Sequence, residues 1–176
     1  MRELSIDIET YSSVDLSKSG VYAYCDAPDF TILLFAYAFD DEPVEIIDLE
    51  QGEKLPDDVL YALTDRSIIK TAFNANFEIN CIEKYLGIRL NISQWRCSQI
   101  MAAELGLPQS LDVVAKVLGL SQQKDKQGKS CINYFSKPCK QLINTPLIKA
   151  NRHLPKDNIE KWNIFKSRCN VQPLRI

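Results

Sequence analysis

Leu4-Ser5-Ile6-Asp7-Ile8-Glu9-Thr10 is the stretch whose reading decides the fold. Taken as an extended strand, it turns Asp7 and Glu9 to one face. At ~3.3 Å rise per residue the two carboxylates start about 6.6 Å apart. Two like charges at about 6.6 Å repel by roughly 2.5 kcal/mol at an effective dielectric of 20. A cation offsets such repulsion, and hard oxygen donors of this kind suit Mg²⁺ or Mn²⁺. The same spacing also fits a surface strand with its acids turned to water, so the rest of the chain has to decide between the two.

Working outward, the 176 residues suit one domain, 1–176. A hydrophobic share of 45% is enough for a core, and a charged share of 25% argues against wholesale disorder. No apolar run approaches the ~20 residues that cross a bilayer. Met1-Arg2-Glu3 leads straight into the first strand, so no signal peptide and no membrane partner are expected. The six cysteines, Cys25, Cys81, Cys97, Cys131, Cys139 and Cys169, include no C-x-x-C pair and read as reduced thiols that fill core space. His153 is the only histidine, which argues against a zinc site and against a histidine-based triad.

Charge is distributed unevenly. Residues 1–123 carry 9 Lys and Arg against 20 Asp and Glu, a net of −11, whereas residues 124–176 carry 12 against 3, a net of +9. An acidic body beside a basic flank suits an enzyme that holds cations next to a phosphate backbone, and it equally suits a solvated basic loop.

The pattern of apolar residues predicts strands over 3–9 and 31–39, a hairpin partner over 44–49 and a further strand over 67–73. Residues 10–29 read as loop with one short helix. Helices are expected from Pro56 to about Leu63, from Phe77 to Leu86 with Gly87 as its stop, near 97–105, and over 110–118 with Ser110 as cap. Residues 121–155 are basic and loop-rich, with one short helix near 129–135. Asp157-Asn158-Ile159-Glu160 reads as a capping box with Asp157 as the cap of a last helix within 156–172, limited by Pro173. The whole is an α/β fold, a mixed sheet with helices packed on it.

A second acidic motif follows the strand over 67–73. In Phe73-Asn74-Ala75-Asn76-Phe77-Glu78, Asn74 is placed to cap a helix, and Glu78 falls in the first turn, where it can face Asp7 and Glu9. A helix-start Glu is also what the macrodipole favours without any function. Together the two motifs resemble the DEDD superfamily of 3′–5′ exonucleases, and more narrowly the proofreading domains of phage and prophage family A DNA polymerases. Asp7-Ile8-Glu9-Thr10-Tyr11-Ser12 is similar to the first exonuclease motif and Asn74-Ala75-Asn76-Phe77-Glu78 to the second, with Glu where the superfamily usually has Asp. Gly106-Leu107-Pro108-Gln109-Ser110-Leu111-Asp112, Leu118-Gly119-Leu120, Gly128-Lys129-Ser130, Tyr134-Phe135 and Lys137-Pro138 extend the likeness over most of 3–169.

The resemblance implies a ribonuclease H-like exonuclease fold and two-metal hydrolysis of a 3′-terminal phosphodiester, with Mg²⁺ or Mn²⁺ ions about 3.5–4 Å apart. Asp7 would bridge the ions, Glu9 would ligate one and orient water, and Glu78 would hold the second. The implied partners are a single-stranded DNA 3′ end and a polymerase module absent from this chain, and the implied location is the cytoplasm of a bacterial host. Thr10, Tyr11, Asn74 and Lys129 are the expected substrate contacts, with Phe77 and Tyr134 as further aromatics on which a base would stack.

The third motif of the family, a Tyr followed four residues later by Asp, is not present. Anchored on Lys161-Trp162 and Phe165-Lys166, its Tyr position falls on Arg168 and its Asp position on Gln172. Arg168 cannot accept a proton from water, and Gln172 brings no charge. Loss of even an outer partner of a metal site typically costs about 10–100-fold in affinity or activity. Ser167-Arg168-Cys169-Asn170-Val171-Gln172-Pro173 and residues 141–150 both depart from the family pattern, as a reading-frame change or truncation would produce. Three functions fit the residues: an exonuclease weakened at its third motif, a nucleic-acid-binding remnant without catalysis, and an interaction domain that meets no nucleic acid.

Overall fold

The computed structural model describes residues 2–119, 126–139 and 152–169. Expectations that fall on Gln172, on Pro173 and on residues 141–150 lie outside them.

The described residues build a five-stranded mixed sheet in the order β3-β2-β1-β4-β5. Its strands are β1 (Glu3–Tyr11), β2 (Thr31–Phe39), β3 (Glu45–Asp48), β4 (Ile69–Ala72) and β5 (Trp95–Cys97). β2 pairs antiparallel with β1 and with β3, whereas β4 runs parallel to β1 and β5 parallel to β4. The helices are α1 (Leu16–Cys25), α2 (Asp57–Thr64), α3 (Ala75–Leu86), α4 (Ser98–Glu104), α5 (Leu111–Val117), α6 (Lys126–Phe135) and α7 (Ile159–Arg168).

Side-chain alternation along β1 divides the core in two. Leu4, Ile6 and Ile8 point into a cluster with Phe35, Tyr37 and Phe39 of β2 and with Cys25, Val59, Cys81 and Ile82 of α1, α2 and α3. Tyr11 joins Leu34 and Ala36 in a second cluster with Phe135 of α6 and with Trp162, Phe165 and Cys169 of the last helix and its cap. Asp7 and Glu9 share the strand face of Tyr11, so the period of two places both acids on the side that α6 and α7 cover. The β1–β2 register shifts between Glu9 and Thr10, where Leu33 is the extra residue of β2. Such bulges re-aim neighbouring side chains.

Aromatic packing and one buried acid hold the second layer. Phe135 meets Trp162 edge-on at 4.8 Å between ring centroids, and Phe165 lies 5.5 Å from both rings. Asp48, fully buried at the end of β3, accepts from Trp162 Nε1 at 2.8 Å, from Gln51 Nε2 at 2.6 Å and from the Gln51 backbone N–H at 3.1 Å. Lys166 Nζ stands 3.6 Å from the same carboxylate. A buried charge of this kind is tolerated only when its lone pairs are satisfied, and here it fastens α7 to the far edge of the sheet.

Several expectations are corrected. β5 has no counterpart among the expected strands, because three residues are too few to show a period. The one short helix expected within residues 10–29 is present, ten residues long and interrupted at Gly20, whose φ of +75° is left-handed. The last helix is capped by Asn158, whose Oδ1 accepts from Lys161 N at 2.9 Å. Asp157 instead accepts from the Leu154 backbone N–H at 2.7 Å and closes the 3-10 turn Pro155–Asp157 ahead of it. Asn74 and Ser110 occupy cap positions as expected, but neither makes a side-chain cap bond. α6 begins three residues earlier than the short helix expected over 129–135.

Candidate functional site

The first acidic motif lies on the central strand and the second at the start of α3, which follows β4 directly. Because β4 runs parallel beside β1, the first turn of α3 emerges at the end of the sheet where β1 carries Asp7 and Glu9. α3 buries Ala75, Glu78, Cys81 and Ile82, a stripe of helical spacing. Glu78 therefore occupies an inward position that helical periodicity would otherwise assign to an apolar residue.

This burial has an electrostatic consequence. Glu78 is only 5% exposed, and its Oε2 is buried without a hydrogen-bond partner. Burial, then the charge of Asp7 and then that of Glu9, hold its carboxyl well above the usual carboxylate range. The favourable dipole at the helix start does not outweigh that desolvation. Asp7 and Glu9 are both half-buried. The three acids thus act on one another through their charge. Among the described residues, no group of three or more His, Cys, Asp or Glu side chains is arranged to hold a metal ion.

Around the acids, Thr10 is buried, and its Oγ1 lies 2.8 Å from the Tyr24 hydroxyl. Ser12 Oγ donates to the Tyr24 backbone carbonyl at 2.9 Å, so α1 is tied to the end of β1 at two points. Tyr24 also packs against Phe30 and Phe77. Sequence reading misses Tyr24, and no local signal marks it, since its importance comes from a contact 14 residues away. Cys169, at the end of α7, is buried with its thiol pushed upward by desolvation and then by Asp7 and Glu9, and it interacts with the backbone of Ala36, the β2 partner of Asp7. The end of α7 therefore reaches the acidic face, as the third motif of the resembling family would require.

The remaining expected contacts differ in exposure. Asn74 and Lys129 are exposed. Tyr11 is only 2% exposed, and the Arg152 guanidinium stands 5.0 Å from its ring centroid. Arg152 Nη2 in turn donates to both carboxylate oxygens of Glu50 at 2.9 Å. Phe77 is half-buried against Tyr24. Tyr134 stacks on His153 at 3.7 Å between centroids with the rings 2° from parallel, and Lys161 Nζ lies 4.9 Å from its centroid. The lone histidine thus has a packing role against an aromatic expected to stack a base. Arg168 is the last residue of α7 and is exposed.

No family model matches the chain. A DNA polymerase of Bacillus phage SP02 is 60% identical over 173 residues, which is 96% of this chain and 26% of that protein. The chain thus spans about a quarter of the length of this relative. Among solved structures, the apo form of a nuclease superposes with a TM-score of 0.53 at 17% identity, over 73% of this chain and 56% of that one. Brucella melitensis NrnC with bound Mg²⁺ superposes with a TM-score of 0.51 at 17% identity, over 70% and 57%. Escherichia coli RNase D, an exoribonuclease involved in structured RNA processing, superposes with a TM-score of 0.53 at 16% identity, over 95% and 36%. Among the described residues no helix is long and apolar enough to cross a membrane. The chain thus shares the ribonuclease H-like fold of these solved structures and, over 96% of its own length, is similar to a segment of a phage DNA polymerase.

Proposed function

We propose that the chain binds single-stranded DNA at its 3′ end and that Asp7, Glu9 and Glu78, which are not arranged around an ion site in this structure, would draw together on Mg²⁺ or Mn²⁺, with hydrolysis well below that of an intact exonuclease of this type. The observation that carries this reading is the Glu78 carboxyl, buried with one oxygen unpartnered beside two further carboxylates. A divalent cation drawn to these acids would satisfy that oxygen and relieve the mutual repulsion, and all three donors are hard oxygens. When bound, such ions supply an activated water and stabilise the leaving oxygen. The chain's own residues position the end of the strand: Thr10, fixed by Tyr24, faces the terminal nucleotide, and exposed Lys129 and Asn74 meet the backbone.

Turnover is low in this reading because Arg168 and Gln172 stand where a Tyr and an Asp would orient water and add a fourth carboxylate. The remaining length of the phage relative represents the polymerase module with which such a domain operates, in the cytoplasm of a bacterial host.

The test uses a 5′-labelled single-stranded oligonucleotide with Mn²⁺. We expect salt-dependent binding, slow shortening from the 3′ end, and loss of that shortening in Asp7→Ala. The double substitution Arg168→Tyr with Gln172→Asp should raise the rate at least about 10-fold. Shortening that survives Asp7→Ala, or absence of oligonucleotide binding at low salt, overturns the proposal.

A further inference from the structure

We propose that Cys25 and Cys81 form a modification site, a dithiol pair that hydroperoxides convert to a disulfide joining α1 to α3. The two sulfurs lie 3.4 Å apart, and both are free thiols. A disulfide needs a sulfur separation of about 2.05 Å, so the pair must close by roughly 1.3–1.4 Å. Rotation about the Cα–Cβ bonds and a small shift of α1 accomplish this.

Neither cysteine lines a cleft, but one opens beside them on the surface side of the same helix seam, and an opening of that seam would admit the oxidant. A cleft of about 480 Å³ is lined by Tyr22, Ala23, Asp26, Asn80, Glu83 and Lys84, among others. Asp26 and Asn80 are the immediate chain neighbours of Cys25 and Cys81. Lys84 Nζ bonds Asp26 at 2.7 Å across the seam. Cys25 is the less buried residue of the pair at 4% exposure, and Cys81 is at 0%. The Cys81 thiol donating to Cys25, and then the Lys84 charge, favour the Cys25 thiolate.

The chemistry balances with a hydroperoxide as the oxidant. The Cys25 thiolate attacks the terminal oxygen of the hydroperoxide, the O–O bond breaks, and the departing alkoxide (hydroxide for hydrogen peroxide) takes a proton and leaves as an alcohol or water. The resulting sulfenic acid is attacked by the Cys81 sulfur, the S–O bond breaks, and the hydroxide of the sulfenic acid leaves with the Cys81 proton as water. Two sulfurs lose two electrons in total, and the peroxide gains them. The bridge would anchor α3 one turn after Glu78, so its formation is expected to reach the acidic site. The proposal itself stands without the nuclease reading.

In the experiment, the reduced chain is treated with a small excess of hydrogen peroxide, then quenched, denatured, alkylated with N-ethylmaleimide and mapped by mass spectrometry. The expected result is two of the six thiols protected, a mass lower by about 2 Da before alkylation, and a Cys25 peptide linked to a Cys81 peptide, all reversed by dithiothreitol. In Cys81→Ser, Cys25 should stop as a sulfenic acid that dimedone captures, and in Cys25→Ser no link to Cys81 should form. Full alkylation of Cys25 and Cys81 after peroxide, a bridge between other cysteines instead, or a link that forms only in urea each overturn the proposal. If either serine variant fails to fold, the wild-type peptide map decides alone.

Discussion

Replacing Glu78 by Gln removes one ionisable proton from the acidic site with little change of shape, and its effect on stability can be worked out from the structure. In the folded chain, burial followed by Asp7 and Glu9 raises the Glu78 carboxyl well above the ordinary range. In the unfolded chain it titrates near about 4.3. Between those two values the native state keeps a proton that the unfolded chain releases, so wild-type stability falls as pH rises. The slope is at most about 1.4 kcal/mol per pH unit. Two pH units inside that window amount to about 2.7 kcal/mol, against a total of about 5–15 kcal/mol for a typical domain. The amide that replaces the carboxyl does not titrate, so the stability of Glu78→Gln relative to wild type should grow from pH 4.5 upward and level off above the folded value. Urea unfolding followed by the fluorescence of Trp95 and Trp162, in chelator, measures this difference. With Mg²⁺ added near neutral pH the order should narrow or reverse, because a bound ion favours ionised Glu78. At 100 times the dissociation constant an ion contributes about 2.7 kcal/mol to the state that binds it. A difference between the two proteins that stays flat from pH 4.5 to 8 would refute the reasoning, since it would mean that Asp7, Glu9 and burial do not act on Glu78.

Two further substitutions test how the site is supported. Asp48→Ala leaves the buried Trp162 Nε1 without its acceptor and removes the acceptor of the Gln51 N–H, and should lower stability by about 2–4 kcal/mol in urea unfolding. Asp48→Asn, which keeps an acceptor oxygen, should cost clearly less. Tyr24→Phe removes the hydroxyl that meets Thr10 and should cost about 1 kcal/mol of stability. It should also weaken oligonucleotide binding without changing the Mn²⁺ requirement; unchanged affinity would remove Thr10 from the proposed contact.

Much of the fold was legible because its signals are local. β2 is a continuous apolar run, and β1 shows two interior strand faces within nine residues. The stop of α3 is a left-handed Gly87. Other features are not written locally. β5 is three residues long and acquires strand geometry by pairing with β4. The capping choice between Asp157 and Asn158 is settled by a 3-10 turn immediately before α7, which commits the aspartate to Leu154. Asp48 looks like a polar strand end, and only Trp162, 114 positions later, makes it a buried anchor.

The candidate site divides in the same way. Strand alternation alone puts Asp7 and Glu9 on one face, because the period of two is a property of the backbone. The resemblance read from the sequence also sets Arg168 and Gln172 at the positions where that family carries the Tyr and Asp of its third motif. Whether Glu78 faces those acids was decided by the parallel pairing of β4 with β1, and the unusual state of its carboxyl by the core that closes around α3. The burial of Tyr11 and the stacking of Tyr134 on His153 were likewise decided by packing between distant segments. Residue type and spacing set which chemistry is available, whereas desolvation and proximity, which depend on the whole folded chain, set the charge each group carries.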